Sequence, residues 1–222
     1  MTKPNDMQRE RRSFLTRFQA GAATVAALAV GSLARAQEKA APFVAVRHDK
    51  DEWLEQNTAK HRMVIDTTAT AGFADALLYS NNFLNTNRNE YGLQNKDLAL
   101  LVIARHTATQ LGYNDAMWAK YGASFGGPAP ESGAAAAEKK EPPKANPHAA
   151  SLTALAGQGV QFAVCATATR RIAGRVARDN SANVDTVFAE LGANLIANAR
   201  LVPAGIVALN RAQERGYSAV ST

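Results

Sequence analysis

The run Leu98-Ala-Leu-Leu-Val-Ile-Ala104 is seven consecutive apolar residues with no polar position that could face water. A strand of this kind must be covered on both faces, which happens where helices flank a parallel sheet. The flanking patterns agree. Met63-Val64-Ile65 reads as a second buried strand, and Phe73, Ala76, Leu77, Ser80, Phe83 and Leu84 follow it at helical spacing. Asp115 to Tyr121 gives a short helix, Ala149 to Ala156 another, and Val160 to Val164 a third strand. Val184, Val187, Phe188, Leu191 and Leu195 mark one face of a helix, and Arg200-Leu201-Val202 a fourth strand. Gly205 to Arg215 forms a closing helix, and Tyr217 to Val220 an edge strand. Strand and helix alternate throughout. The expectation is an α/β domain with flavodoxin-like layering: a single open, mainly parallel sheet of about five strands, right-handed crossovers and helices on both faces.

The first 36 residues read differently. A basic stretch from Met1 to Arg17, a weakly apolar Ala20 to Leu33 and the small-residue site Ala34-Arg35-Ala36 have the layout of a cleavable leader. Arg11-Arg12-Ser13-Phe14-Leu15 places paired arginines before two large apolar residues, the arrangement read by the twin-arginine translocase, with Glu10 and Thr16 departing from the usual motif. The apolar part is shorter than the roughly 20 residues that span a bilayer, so a stable membrane insertion is not expected. The leader carries net +4 of the chain's formal +6. A mature chain near +2 has no basic field to attract nucleic acid. The expected location is periplasmic.

Residues 37–59 read as a surface extension with Trp53 and Leu54 as docking points, and residues 60–222 as the domain. Residues 122–147 interrupt it with Gly, Ala, EKKEPPK and five of the eight prolines, and are expected to be a mobile surface insertion. With one cysteine, Cys165, no disulfide can form within a chain.

Sites in open parallel sheets gather beyond the carboxyl ends of the strands. That rule selects Asp66, Thr67 and Thr68 after the first strand, and Arg105 and His106 after the second. It adds Cys165 and Thr167 after the third and Pro203 after the fourth. Cys165 precedes Ala-Thr-Ala-Thr and Arg170-Arg171, so cations or a helix start near it would favour a thiolate; the alternative, and the commoner role of a lone cysteine, is a small apolar filler at a strand end. His106 is a candidate proton acceptor for Cys165 or a loop cap, while His48, His61 and His148 fall in or beside extensions. No C-x-x-C, C-x-x-C-H, H-E-x-x-H, G-x-x-x-x-G-K or G-x-S-x-G pattern occurs, so neither a cofactor nor a metal is expected.

The segments Tyr79-Ser-Asn-Asn-Phe83, Leu98 to His106, Tyr113 to Tyr121, Gly159-Val-Gln-Phe-Ala-Val-Cys165, and Val202-Pro-Ala-Gly205-Ile through Gln213-Glu-Arg-Gly216-Tyr217 resemble the DsrE-like family, in particular its exported members. The likeness spans roughly residues 60–220. It implies an α/β domain of about five strands that assembles into homo-oligomers and is linked to sulfur metabolism, with Cys165 at the position of a family cysteine that carries sulfur as a persulfide. The expected function is sulfur handling through Cys165 with a sulfur-donor or sulfur-acceptor protein or a small sulfur compound, as a carrier more than a turnover enzyme. His106, Thr67, Thr68, Arg105, Thr167 and Pro203 would shape the site. The alternative is a non-catalytic module for small-ligand binding or assembly.

Overall fold

The computed structural model describes residues 44–55, 58–125 and 141–222. The chain divides into two units, residues 1–44 and 45–222, and the sheet with its helices belongs to the second. The expected leader, residues 1–36, lies outside the described residues.

After a 3-10 segment at Asp49–Leu54, the chain runs β1 (His61–Thr67), α1 (Thr70–Tyr91), β2 (Leu98–Ala104), a 3-10 segment (His106–Gly112) and α2 (Asp115–Tyr121). It continues α3 (Ala149–Gly157), β3 (Gln161–Cys165), α4 (Ala166–Asp179), α5 (Val184–Ala193), β4 (Ala199–Val202), α6 (Gly205–Gln213) and β5 (Ser218–Ser221). The five strands form one open sheet in the order β4-β3-β2-β1-β5, and every pairing is parallel. The fold class is α/β.

This order fixes the layers. From β1 to β4 the chain steps across the sheet in one direction, and right-handed crossovers in one direction put their helices on one face. The step from β4 back to β5 runs the opposite way, so α6 falls on the other face. The cores divide accordingly. Ile65, Leu98, Leu100, Val102, Ala104, Phe162 and Val164 pack beneath α1 to α5, whereas Val64, Ala99, Leu101, Ile103, Ala163 and Val202 pack beneath α6, Trp53 and Leu54. The alternation of these numbers is the period-two side-chain pattern of a strand. All seven residues of β2 are buried because both faces are roofed.

Several local features follow from residue chemistry. Asn114 and Asn183 cap α2 and α5 by accepting backbone N–H groups of the first turn. Gly92 ends α1 in a left-handed conformation with φ 65°, a geometry that costs glycine little. Helix α4 is an addition to the elements expected from sequence, with Ala168, Ile172, Ala173, Val176 and Ala177 as its buried stripe.

Both flanks of the expected 122–147 insertion are built into the domain. Phe125 is buried with its ring edge-on to Trp118 at 5.1 Å. Asn146, also buried, donates from Nδ2 to the carbonyls of Leu111 (2.8 Å) and Tyr113 (2.9 Å), and its N–H donates to Asp115 Oδ1. The core anchors are one aromatic and one amide in a composition otherwise poor in apolar residues. The remainder, residues 126–140, lies outside the described residues.

Candidate functional site

The switch point of this sheet lies between β3 and β4, because the chain leaves β3 toward the α4 face and leaves β4 toward the α6 face. A crevice opens where neighbouring connections diverge in this way. Cys165 ends β3 on one side of it, in register with Val202, and Pro203-Ala204-Gly205 starts α6 on the other. Thr167 Oγ1 donates to the Pro203 carbonyl at 3.1 Å, tying the two diverging loops together.

Cys165 is the N-cap of α4. Its Sγ accepts the Ala168 N–H at 3.5 Å, and its carbonyl accepts from Thr169 Oγ1 at 2.9 Å. Thr169 in turn accepts from the hydroxyl of Tyr113 at 2.9 Å. Burial in the core raises the Tyr113 pKa, with Thr169 acting in the opposite direction, so the phenol remains the donor. Cys165 as a residue is 7% exposed.

Strand alternation puts Asp66, Arg105 and Cys165 on the same face at the ends of β1, β2 and β3. Arg105 grips Asp66 through two parallel hydrogen bonds, Nε to Oδ1 and Nη2 to Oδ2, each 2.7 Å. The Asp66 side chain is 2% exposed and that of Arg105 27%. The hydrogen bonds that Arg105 donates to Asp66 raise its pKa, burial opposes the rise, and Asp66 and Cys165 add to it electrostatically. The guanidinium therefore lies within electrostatic reach of the thiol. Gly205 makes this packing possible: a Cβ there would sit 2.7 Å from Arg105 Cβ and 3.1 Å from Ile103 Cγ2.

The other expected site residues fall nearby with different roles. Thr67 is buried and donates to the Ile103 carbonyl at 2.7 Å, which joins β1 to β2. The Thr68 carbonyl accepts the N–H and hydroxyl of Thr107, both at 3.1 Å, so the loops after these two strands are fastened together. His106 is exposed at φ 55° and is one residue out of phase with Arg105. No hydrogen bond joins it to Cys165 among the described residues; the charged side chain facing the thiol is Arg105. Sequence reasoning missed the site roles of Gly205, Tyr113 and Thr169: Thr169 lies one helical turn beyond Cys165 and depended on recognising α4, whereas Tyr113 and Gly205 reach the site only through the tertiary fold.

Cavities border the sheet on both faces. One of about 620 Å³ lies on the α1 side, among Ala71, Leu111, Trp118, Phe125, Pro143 and His148, and does not include Cys165. Two others, about 350 and 280 Å³, open at the switch point and share Lys50, Val202 and Pro203. No group of three or more His, Cys, Asp or Glu residues able to hold a metal occurs among the described residues, nor any helix long and apolar enough to cross a membrane.

His148 borders the first cavity with its ring 5.7 Å from that of Phe73. Burial lowers its pKa. The fold thus favours neutral imidazole, and this contribution is full above the ordinary histidine range and lost as pH falls through it into acid. The urea midpoint should fall between about pH 7.5 and about pH 5, and His148→Gln should flatten that part of the profile. An unchanged profile in H148Q would assign the acid sensitivity to other groups.

The fold and site define an open, all-parallel α/β domain with a helix-capping thiol at its switch point and an arginine–aspartate pair at the ends of β1 and β2. No family model matches the chain, and no curated protein matches it. Among solved structures, the chain is similar to a protein of unknown function from Methanobacterium thermoautotrophicum, at 15% identity and a TM-score of 0.41, over 73% of this chain and all of that one.

Proposed function

We propose that the protein is an exported, periplasmic DsrE-like carrier that takes up sulfane sulfur on Cys165. The observation that supports this reading best is the placement of Cys165 at the switch point as the N-cap of α4, with Arg105 within electrostatic reach. A helix start and a guanidinium both favour negative charge on sulfur held between them. In the loading step the Cys165 thiolate attacks a sulfane sulfur of a polysulfide. A new S–S bond forms, and the shortened polysulfide departs with the electron pair of the broken bond. His106, on its exposed turn, would act on the partner or donor side. Self-association fits the uncovered outer strand β5, whose residues are all exposed.

Exposure of the protein to polysulfide should add about 32 Da per sulfur in the intact mass, removable by reductant, and Cys165→Ala should abolish the addition. An unmodified Cys165 under conditions that load a known carrier would overturn the reading. A second reading, a small-ligand module without covalent chemistry, is favoured by the 620 Å³ largely apolar cavity, which Cys165 does not line. Saturable binding of a small apolar compound, unchanged in C165A, would support that module in place of the carrier.

A further inference from the structure

We infer that the cleft between Lys50–Trp53 and the exit of β4 is a binding site for a small anion, held by Arg200 and Lys50, with room for an attached apolar group. The cleft measures about 350 Å³ and its other walls are Ala166, Leu201, Val202 and Pro203. It therefore has two cationic side chains and an otherwise apolar lining.

Arg200 stands on β4 opposite Ala163 of β3, which places it on the α6 face. Its guanidinium carbon lies 4.4 Å from the centre of the Trp53 ring. Stacking of this kind occupies the flat face of the guanidinium and leaves the N–H donors at its edge unused. Among the described residues neither Arg200 nor Lys50 has a carboxylate partner, whereas the neighbouring Asp51 is engaged by Arg211 and Glu55 by Arg215. Partial burial lowers the Arg200 pKa. A half-buried cation with unused donors in an apolar cleft is stabilised when an anion supplies the acceptors.

The chemistry selects the ligand class. A planar fork beside a second point charge suits a sulfur oxyanion, sulfonate, phosphate or carboxylate, and the volume exceeds that of a bare inorganic ion. Trp53, Val202 and Pro203 would cover a short alkyl or aryl group. Ala166 places the cleft one residue from Cys165, but anion binding there does not require that thiol to react.

The test is calorimetric titration of the full chain with thiosulfate, inorganic phosphate and benzenesulfonate, with Trp fluorescence followed in parallel. Saturable binding of at least one probe is expected. It should weaken about tenfold in Arg200→Gln and in the surface variant Lys50→Gln, fall with added salt, and survive Cys165→Ala. Preference for benzenesulfonate over both inorganic ions would identify an organic anion as the ligand, and preference for an inorganic ion would identify the free oxyanion. No saturable binding of any probe, or binding that both K50Q and R200Q leave intact, would overturn the inference. Failure of Cys165 to load sulfur would leave it standing.

Discussion

Arg105→Leu is expected to lower the free energy of unfolding by about 3–5 kcal/mol, the cost of leaving a buried carboxylate without its partner. The Asp66 side chain is 2% exposed, and both hydrogen bonds to its carboxylate come from Arg105. Removing the guanidinium therefore leaves a desolvated anion between two strands. Urea denaturation of the single variant and of the double variant Asp66→Leu/Arg105→Leu would separate the cost of the orphaned charge from the worth of the pair. The double variant should recover most of the loss, since an apolar pair of similar size replaces an ion pair at little net cost. A loss below about 1 kcal/mol in R105L would mean that the carboxylate does not depend on Arg105.

Gly112→Ala is expected to cost about 3 kcal/mol, at the upper end for overpacking. An added Cβ would lie 2.4 Å from Val164 Cγ2 in the core. The chain cannot simply move aside, because the Gly112 carbonyl accepts the Ile196 N–H and Tyr113 forms a bridge to Leu195. Val164→Ala alone should also destabilise, by removing buried methyl groups. The double variant Gly112→Ala/Val164→Ala should be more stable than the sum of the single losses predicts, because each change makes room for the other. Additive losses in thermal unfolding would show that the two positions do not compete for the same space.

How much of this was legible in the sequence depended on the range of the interaction. Leu98 to Ala104 announced a strand roofed on both faces, and the order of elements announced a parallel sheet. Helix α4 was overlooked because its buried stripe is made largely of alanine, a weak apolar signal, although Arg170, Arg171, Arg175 and Arg178 lie off that stripe. At the site, the strand-end rule selected Cys165, Arg105, Asp66 and Pro203, but which of Arg105 and His106 shares the face of the thiol turned on parity. Arg105 continues the face of Ile103, whereas His106 turns away in a left-handed conformation. The placement of Arg200 against Trp53 was invisible, since it arises only when β4 takes its place beside β3 and residues 49–54 fold over that face. Such proximity is a property of strand order, and composition does not encode it.

The asymmetry of the two layers also affects how reagents reach the thiol. Five helices anchor one face, while α6 and residues 49–54 roof the other, and β5 is an edge strand whose residues are all exposed. Segments with short ladders and few neighbours open ahead of the global transition. Partial detachment of Gly205–Ser221 would uncover the strand ends that carry Asp66, Arg105 and Cys165 while β1 to β4 remain paired. Access to the thiol of Cys165, a buried residue, would then be gated by this local opening equilibrium. A bulky donor would react at a rate proportional to the open population, and anything that fastens α6 to the sheet would act as a brake on the chemistry.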